Sequence, residues 1–159
     1  MYETDTDMLA IYNGTAWRYV AATTPTNGTV LQVVSAESTT QTTTTSATYA
    51  TSNLSATITP KSSSSKVFVM ASINLLASAA SADCGLRIVR GSTNIYTNSG
   101  GGIFAANVGA LVTVNYLDSP ATTSSTTYSI HFARTAGTGT VYAQVSSIPS
   151  EITLMEIAG

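Results

Sequence analysis

Few side chains in this 159-residue protein could carry out chemistry. The only histidine, His131, would need an orienting carboxylate and a nucleophile to act as a general base, and the neighbouring sequence indicates neither. The only cysteine, Cys84, excludes an intrachain disulfide and a cysteine metal site. Its neighbours, Asp83 and Gly85, offer no base that would activate the thiol. The sequence therefore predicts a protein that is not an enzyme and has no cofactor.

The eight carboxylates are poorly arranged for catalysis or metal binding. Asp5 and Asp7 alternate as in a calcium loop, but the later glycine and the terminal glutamate of that motif are absent. Glu151 and Glu156 flank the last apolar segment, and their odd spacing directs them to opposite faces of a strand. Glycoside hydrolysis needs two facing carboxylates, so a carbohydrate-active enzyme is only a remote alternative. No metal site is expected.

The best candidate for ligand binding is the loop expected over residues 94–104. Asn94, Tyr96 and Asn98 combine an amphipathic ring with adaptable hydrogen-bonding groups, which suits a glycan of a host cell surface. The alternative is an ordinary glycine-rich connection. The glycine run at 100–102 is not a phosphate-binding loop, because neither a lysine nor a helix start follows it.

The composition indicates a β protein with an unusually uncharged surface. Charged residues form 9% of the chain, against about 25% in ordinary globular proteins. Thr and Ser together supply 49 residues, 28 and 21 respectively, and Thr favours strands. The six basic residues are scattered, so no nucleic-acid surface is expected. The longest apolar run, 67–82, is interrupted by Ser and Asn, so no membrane insertion is expected.

Apolar residues alternate with polar ones at 54–58, 66–76 and 128–132, which is typical of strands with one buried face. Turn signals recur about every 8–12 residues, and no window forms a convincing amphipathic helix. Residues 30–159 are therefore predicted to form an antiparallel β-sandwich of about eight strands, a jelly roll. The Ser, Thr and Gln-rich segment 37–46 is expected to be extended or a loop.

The N-terminal residues 1–22 predict a small β-meander or hairpin that stands apart from the sandwich. Asn13-Gly14 is expected to form a type I′ turn, with the second strand starting at Thr15. Trp17 is expected to be structural, packing on Tyr12 or near a symmetry axis. Pro25 and a second Asn-Gly predict a linker over 23–29, so that the sandwich domain spans 30–159.

Two strands carry apolar residues on both faces. In 66–76 and in 152–157, one face would cover the core, and the other carries Phe68, Met70, Met155 and Ile157. Because one domain has one core, the second apolar face predicts a subunit interface.

Several segments resemble bacteriophage proteins. YETDT…L…YNGTAW, at residues 2–17, resembles an element of tail-fibre and other virion appendage proteins. The segments LSATITPKSSSSKVFV (54–69), YLDSPATTSSTTYSIHF (116–132) and SSIPSEITLMEIAG (146–159) resemble C-terminal domains of tail-fibre-like proteins of cyanophages and marine phages. Their order and spacing also resemble the trimeric jelly rolls of the C1q and tumour-necrosis-factor type.

The resemblance implies a homotrimer that is assembled in the host cytoplasm and becomes part of the virion. Its partners would be other virion proteins of the tail or capsid. A tail-fibre or tail-tip component that adsorbs to the host surface is the first interpretation. The alternative is a capsid-bound head fibre, knob or cement (decoration) protein of the same build.

Overall fold

The computed structural model describes residues 8–21, 25–99, 103–104 and 106–159, which contain strands, one 3₁₀ turn at Val145–Ser147 and no α-helix. The strands are β1 (Met8–Tyr12), β2 (Trp17–Ala21), β3 (Val30–Ser38), β4 (Thr42–Thr44), β5 (Ala50–Ile58), β6 (Lys66–Ala77), β7 (Ala82–Arg90), β8 (Thr93–Asn98), β9 (Ile103–Phe104), β10 (Gly109–Asp118), β11 (Thr126–Ala136), β12 (Val141–Ala143) and β13 (Ser150–Ile157).

The eight longer strands from β3 onward form a jelly roll. The first sheet has the order β10-β6-β13-β3 and the second the order β5-β11-β7-β8, with antiparallel neighbours throughout. The predicted antiparallel β-sandwich is thus confirmed. Three short strands extend the sheets. In the first sheet, β12 pairs with the C-terminal end of β6 and with β4; in the second sheet, β9 pairs with β7. Strand β4 shows that part of the Thr-rich segment is paired with β12.

The core lies between the two sheets and follows the predicted alternation. The first sheet supplies every second residue of β6, from Val67 to Ala77, together with Ile152 and Leu154 of β13. The second sheet supplies the inward residues of β5, β7 and β11, among them Tyr128 and Phe132. Burying an aliphatic or aromatic side chain stabilises the fold by about 1.5–3 kcal/mol, so this continuous cluster accounts for most of the driving force.

A charged hydrogen-bond cluster joins the two sheets at one end of the core. Asp118, buried at the end of β10, accepts hydrogen bonds at Oδ2 from Arg90 Nη1 of β7 and from the hydroxyl of Tyr128 of β11, each at 2.7 Å. Burial, and then the contact with Asp118, raise the pKa of the Tyr128 hydroxyl, which therefore stays a donor. The cluster fixes the end of β10 against the opposite sheet.

A second buried carboxylate fastens the loop after β5. Glu156 faces the core side of β13, where Gln32 Nε2 donates to Oε2 at 2.6 Å and the backbone N–H of Lys61 donates to Oε1 at 2.7 Å. Burial alone would raise the pKa of Glu156. The nearby Ser65 hydroxyl and the hydrogen bonds from Gln32 and the backbone N–H of Lys61 outweigh burial and hold the pKa of Glu156 below its usual value.

The N-terminal strands β1 and β2 form a hairpin, but the expected type I′ turn is wrong. The strands end at Tyr12 and restart at Trp17, so the connection has four residues and Thr15 is not in a strand. Gly14 takes φ +91°, whereas Asn13 has no positive φ and instead accepts hydrogen bonds at Oδ1 from the N–H groups of Thr15 and Ala16. That side-chain cap favours the longer loop. Residues 1–7 and 22–24, which include Asp5, Asp7 and part of the expected linker, lie outside the described residues.

We predict that Asp118→Asn lowers the free energy of unfolding by about 1–3 kcal/mol, because it removes the charged acceptor of one buried and one part-buried hydrogen bond. Tyr128→Phe removes one of those bonds and leaves the ion pair with Arg90, so its cost should be smaller, about 1 kcal/mol. Urea unfolding followed by circular dichroism measures both. An unchanged midpoint for Asp118→Asn would contradict the role given to the cluster.

A second prediction concerns acid stability. Because folding lowers the pKa of Glu156, the ionised carboxylate stabilises the fold above the usual carboxyl range, and this contribution is lost as pH falls through the folded-state pKa. Glu156→Gln should therefore lower the free energy of unfolding near neutral pH. It should also make that free energy fall less steeply as the pH is lowered. Glu151→Gln, on the exposed side of the same strand, should change neither. Urea midpoints across an acid pH series distinguish the two variants, and equal curves for both would refute the assignment.

Candidate functional site

The outer face of the first sheet carries a row of apolar side chains that runs across all four strands. Leu117 of β10 lies opposite Phe68 of β6, Phe68 lies opposite Met155 of β13, and Met155 lies opposite Val33 of β3. Neighbouring strands are about 4.8 Å apart, so the row spans roughly 14 Å. None of the four faces the core, and Leu117 and Val33 are about half exposed, at 46% and 57%. The row is an apolar surface without a covering layer.

Flanking residues widen this row into a patch. Ile157 and Val30 face each other on one side of it, and Met70, which is 38% exposed, lies on the other. We call the set the apolar face; its members are Val30, Val33, Phe68, Met70, Leu117, Met155 and Ile157. The structure thus brings the four residues predicted from two-sided strands onto one surface. Sequence reasoning missed Val30, Val33 and Leu117, because strand order and register decide which outward residues become neighbours.

Charges on this sheet surface lie at the two ends of the apolar face. Lys66 lies opposite Ile157 at one end, and Glu37 faces Glu151 at the other. The row that contains Met70 is completed by Asn115, Thr153 and Ser35, which are uncharged. An apolar centre with charges confined to the rim is the usual anatomy of a protein–protein interface.

Trp17 lies on the N-terminal hairpin, in strand β2. It is the cross-strand partner of Tyr12, with ring centroids 5.4 Å apart, so the expected packing on Tyr12 is present. Both rings remain more than half exposed, at 64% for Trp17 and 54% for Tyr12. A role for Trp17 near a symmetry axis stays a prediction.

The expected binding loop over 94–104 is largely not a loop. Asn94, Tyr96 and Asn98 lie in strand β8, and residues 100–102 are outside the described part of the chain. The Tyr96 ring packs against the core and against Tyr116, at 5.5 Å between centroids, so it cannot offer a free platform. Asn94 Nδ2 donates to Thr97 Oγ1 at 2.9 Å. Asn98 was expected in the glycine-rich loop, whereas β8, which pairs with β7, extends to it; ligand binding by these residues stays a prediction.

The residues weighed for catalysis are separated in the fold. Cys84 is buried in the core, and burial raises the pKa of its thiol to about 12, which leaves it unreactive near neutral pH. Glu151 is exposed and Glu156 buried, on opposite faces of β13 as predicted. His131 is half-buried on the outer face of the second sheet, where burial and then Arg87 lower its pKa.

Among the described residues, no group of three or more His, Cys, Asp or Glu side chains could hold a metal ion. The same residues include no helix long and apolar enough to cross a membrane.

Comparison with known proteins yields fold-level likenesses only. No protein-family model matches the chain, and neither does any curated protein. Among solved structures, the VP2 subviral particle of infectious bursal disease virus has 12% identity and a TM-score of 0.46, over 97% of this chain and 43% of that one. The chain thus spans less than half of VP2. A pilus protein of Bacillus endospore appendages has 16% identity and a TM-score of 0.35, over 88% of this chain and 100% of that one. Likenesses this low assign no function.

We predict that Met70→Glu abolishes self-association, because a carboxylate inside an apolar interface loses its hydration without gaining a partner. The subunit should still fold, since Met70 is 38% exposed and points away from the core. Ser55→Glu, which places the same charge on the outer face of the second sheet, is the matched control. Light scattering at micromolar concentration should give an oligomer for the wild type and the control and a monomer for Met70→Glu. A monomeric wild type would contradict the assignment of the apolar face.

Proposed function

We propose that the protein is a structural component of a bacteriophage virion, a tail-fibre or tail-tip protein whose trimeric jelly-roll head adsorbs to the host surface. The observation that carries this proposal is the apolar face, an uncovered hydrophobic surface on an otherwise complete sandwich. Contiguous exposed apolar patches on soluble domains mark sites of association. The protein therefore acts as an assembling part rather than as a free monomer.

The low charge of the chain supports self-association. With charged residues at 9%, little electrostatic repulsion separates copies, and the charges on the first sheet lie outside the apolar centre. The hydroxyl-rich remainder of the surface keeps the assembly hydrated without adding charge. These features fit a protein that is packed permanently among identical neighbours.

The number of copies and the phage context come from the resemblance. Residues 2–17, 54–69, 116–132 and 146–159 resemble tail-fibre-like proteins, and the order and spacing of the last three segments resemble the trimeric jelly rolls of the C1q and tumour-necrosis-factor type. A trimer offers three copies of any binding site on one particle. Weak binding by each subunit then becomes strong attachment when three act together, by roughly 10²–10⁴ over a single site.

Adhesion can be tested with the purified protein and the host cells of the phage that encodes it. The labelled trimer should bind these cells and compete with phage adsorption, and it should release no sugar from them. Monomeric Met70→Glu should bind at least about tenfold more weakly at equal subunit concentration, because it loses multivalency. Ser55→Glu should bind as the wild type does.

Two results would overturn the proposal. Binding to empty capsids with no binding to host cells would favour the capsid-bound head fibre, knob or cement (decoration) alternative. Release of sugars by the purified protein would favour the carbohydrate-active enzyme.

A further inference from the structure

The outer face of the second sheet carries a polar cluster that self-association does not use. Arg87 of β7 and His131 of β11 are direct cross-strand neighbours. The guanidinium carbon of Arg87 lies 3.8 Å from the ring centroid of Tyr49, which immediately precedes β5. Gly85 makes room for this arrangement, because a Cβ there would collide with the Tyr49 hydroxyl and with Thr135. The ring and the guanidinium are therefore held in fixed positions by the sheet below them.

The cluster presents positive charge without a matching acid. In the described part of the chain the ion pair present is Arg90–Asp118, and Arg87 has none. The Nε atom of Arg87 is buried and has no hydrogen-bond partner among the described residues. Asp83, two residues before Gly85 on the same strand, acts on Tyr49 electrostatically but forms no ion pair with Arg87. His131 is the cross-strand neighbour of Arg87, and burial and then the Arg87 charge lower the pKa of His131.

Exposed hydroxyls surround these groups. Thr51 of β5 is the cross-strand partner of His131, and Thr97 of β8 is the partner of Arg87. Both threonines are exposed, whereas Arg87, His131 and Tyr49 are half-buried. The result is a shallow site with a basic centre and a hydroxyl rim.

We propose that Arg87, His131 and Tyr49, with Thr51 and Thr97, bind a carboxylate-bearing sugar residue, such as a uronic acid of a polysaccharide. A guanidinium can bind a carboxylate through two parallel hydrogen bonds. Because the Arg87 guanidinium is already held against the Tyr49 ring, the Arg87 side chain loses little conformational freedom on binding. Threonine hydroxyls both donate and accept, as sugar hydroxyls require. The inference rests on the proposed adhesion and deepens it, because it names the ligand class and places the site on the second sheet.

The single histidine makes the test direct, since one imidazole signal in an NMR spectrum reports on the site. Oligogalacturonate is the probe, a neutral galactose oligomer of equal length is the first control, and inorganic sulfate is the second. We expect oligogalacturonate to shift the His131 signals in a saturable manner and to raise the pKa of His131, because the bound carboxylate favours the imidazolium. The two controls should leave the signals near their starting positions.

Substitutions then identify the residue responsible. Arg87→Gln should weaken binding by about tenfold or more, because the guanidinium supplies the charged hydrogen bonds. Lys61→Gln removes the same charge from a side chain that bonds the carbonyl of Leu31, away from the site, and should bind as the wild type does. If Arg87→Gln fails to fold, the wild-type titration and its controls decide alone.

Three results would overturn the inference: no change at His131 with oligogalacturonate, an equal change with the neutral oligomer, or an equal change with sulfate, which would indicate a site for free anions. Cell binding is measured separately. Binding of oligogalacturonate by a protein that ignores host cells would refute the proposed adhesion and leave the sugar site intact.

Discussion

Each strand of a two-layer sandwich has two faces, and the core between the sheets covers only one of these faces. In most sandwiches the other face is polar. Here β3, β6, β10 and β13 place Val33, Phe68, Leu117 and Met155 side by side on the solvent side of the first sheet, so the hydrophobic effect that closes the sandwich also acts outside it. Covering that surface requires another copy or another protein. The proposed oligomer and the proposed role in a virion both rest on this constraint.

The outer face of the second sheet is polar instead of apolar. Its outer face carries Thr51, Arg87, Thr97 and His131, and the Tyr49 ring lies across Gly85. Hydroxyls and basic groups remain hydrated in every assembly that hides the apolar face. The two proposed tasks therefore fall on separate surfaces: self-association on the first sheet and ligand binding on the second. Between the sheets, the Asp118 cluster holds both surfaces in a fixed relation.

Alternation along single strands was readable from the sequence, whereas relations between strands were not. The period-two pattern correctly placed every second residue from Val67 to Leu75 in the core, and Phe68 and Met70 on the outer face. Neighbouring side chains of a strand point in opposite directions. Leu117 and Val33 were missed, since only register makes them neighbours of Phe68 and Met155. Asn98 was misplaced because the glycines that follow it suggested a loop, whereas pairing with β7 extends the strand to it. The site at Arg87 has no local signal, because its residues come from four separate segments.

The central claim is that the apolar face is buried between identical subunits, and the methionines report on it directly. Met70 is 38% exposed in the single subunit, and thioether sulfur is oxidised by peroxide only where reagent reaches it. The measurement is the rate of Met70 oxidation, read by mass spectrometry after brief peroxide treatment at protein concentrations above and below trimer dissociation. We expect strong protection of Met70 from oxidation in the concentrated sample and loss of that protection on dilution, with the tertiary fold unchanged. Oxidation of Met70 as fast in the trimeric sample as in the dissociated one would contradict this burial.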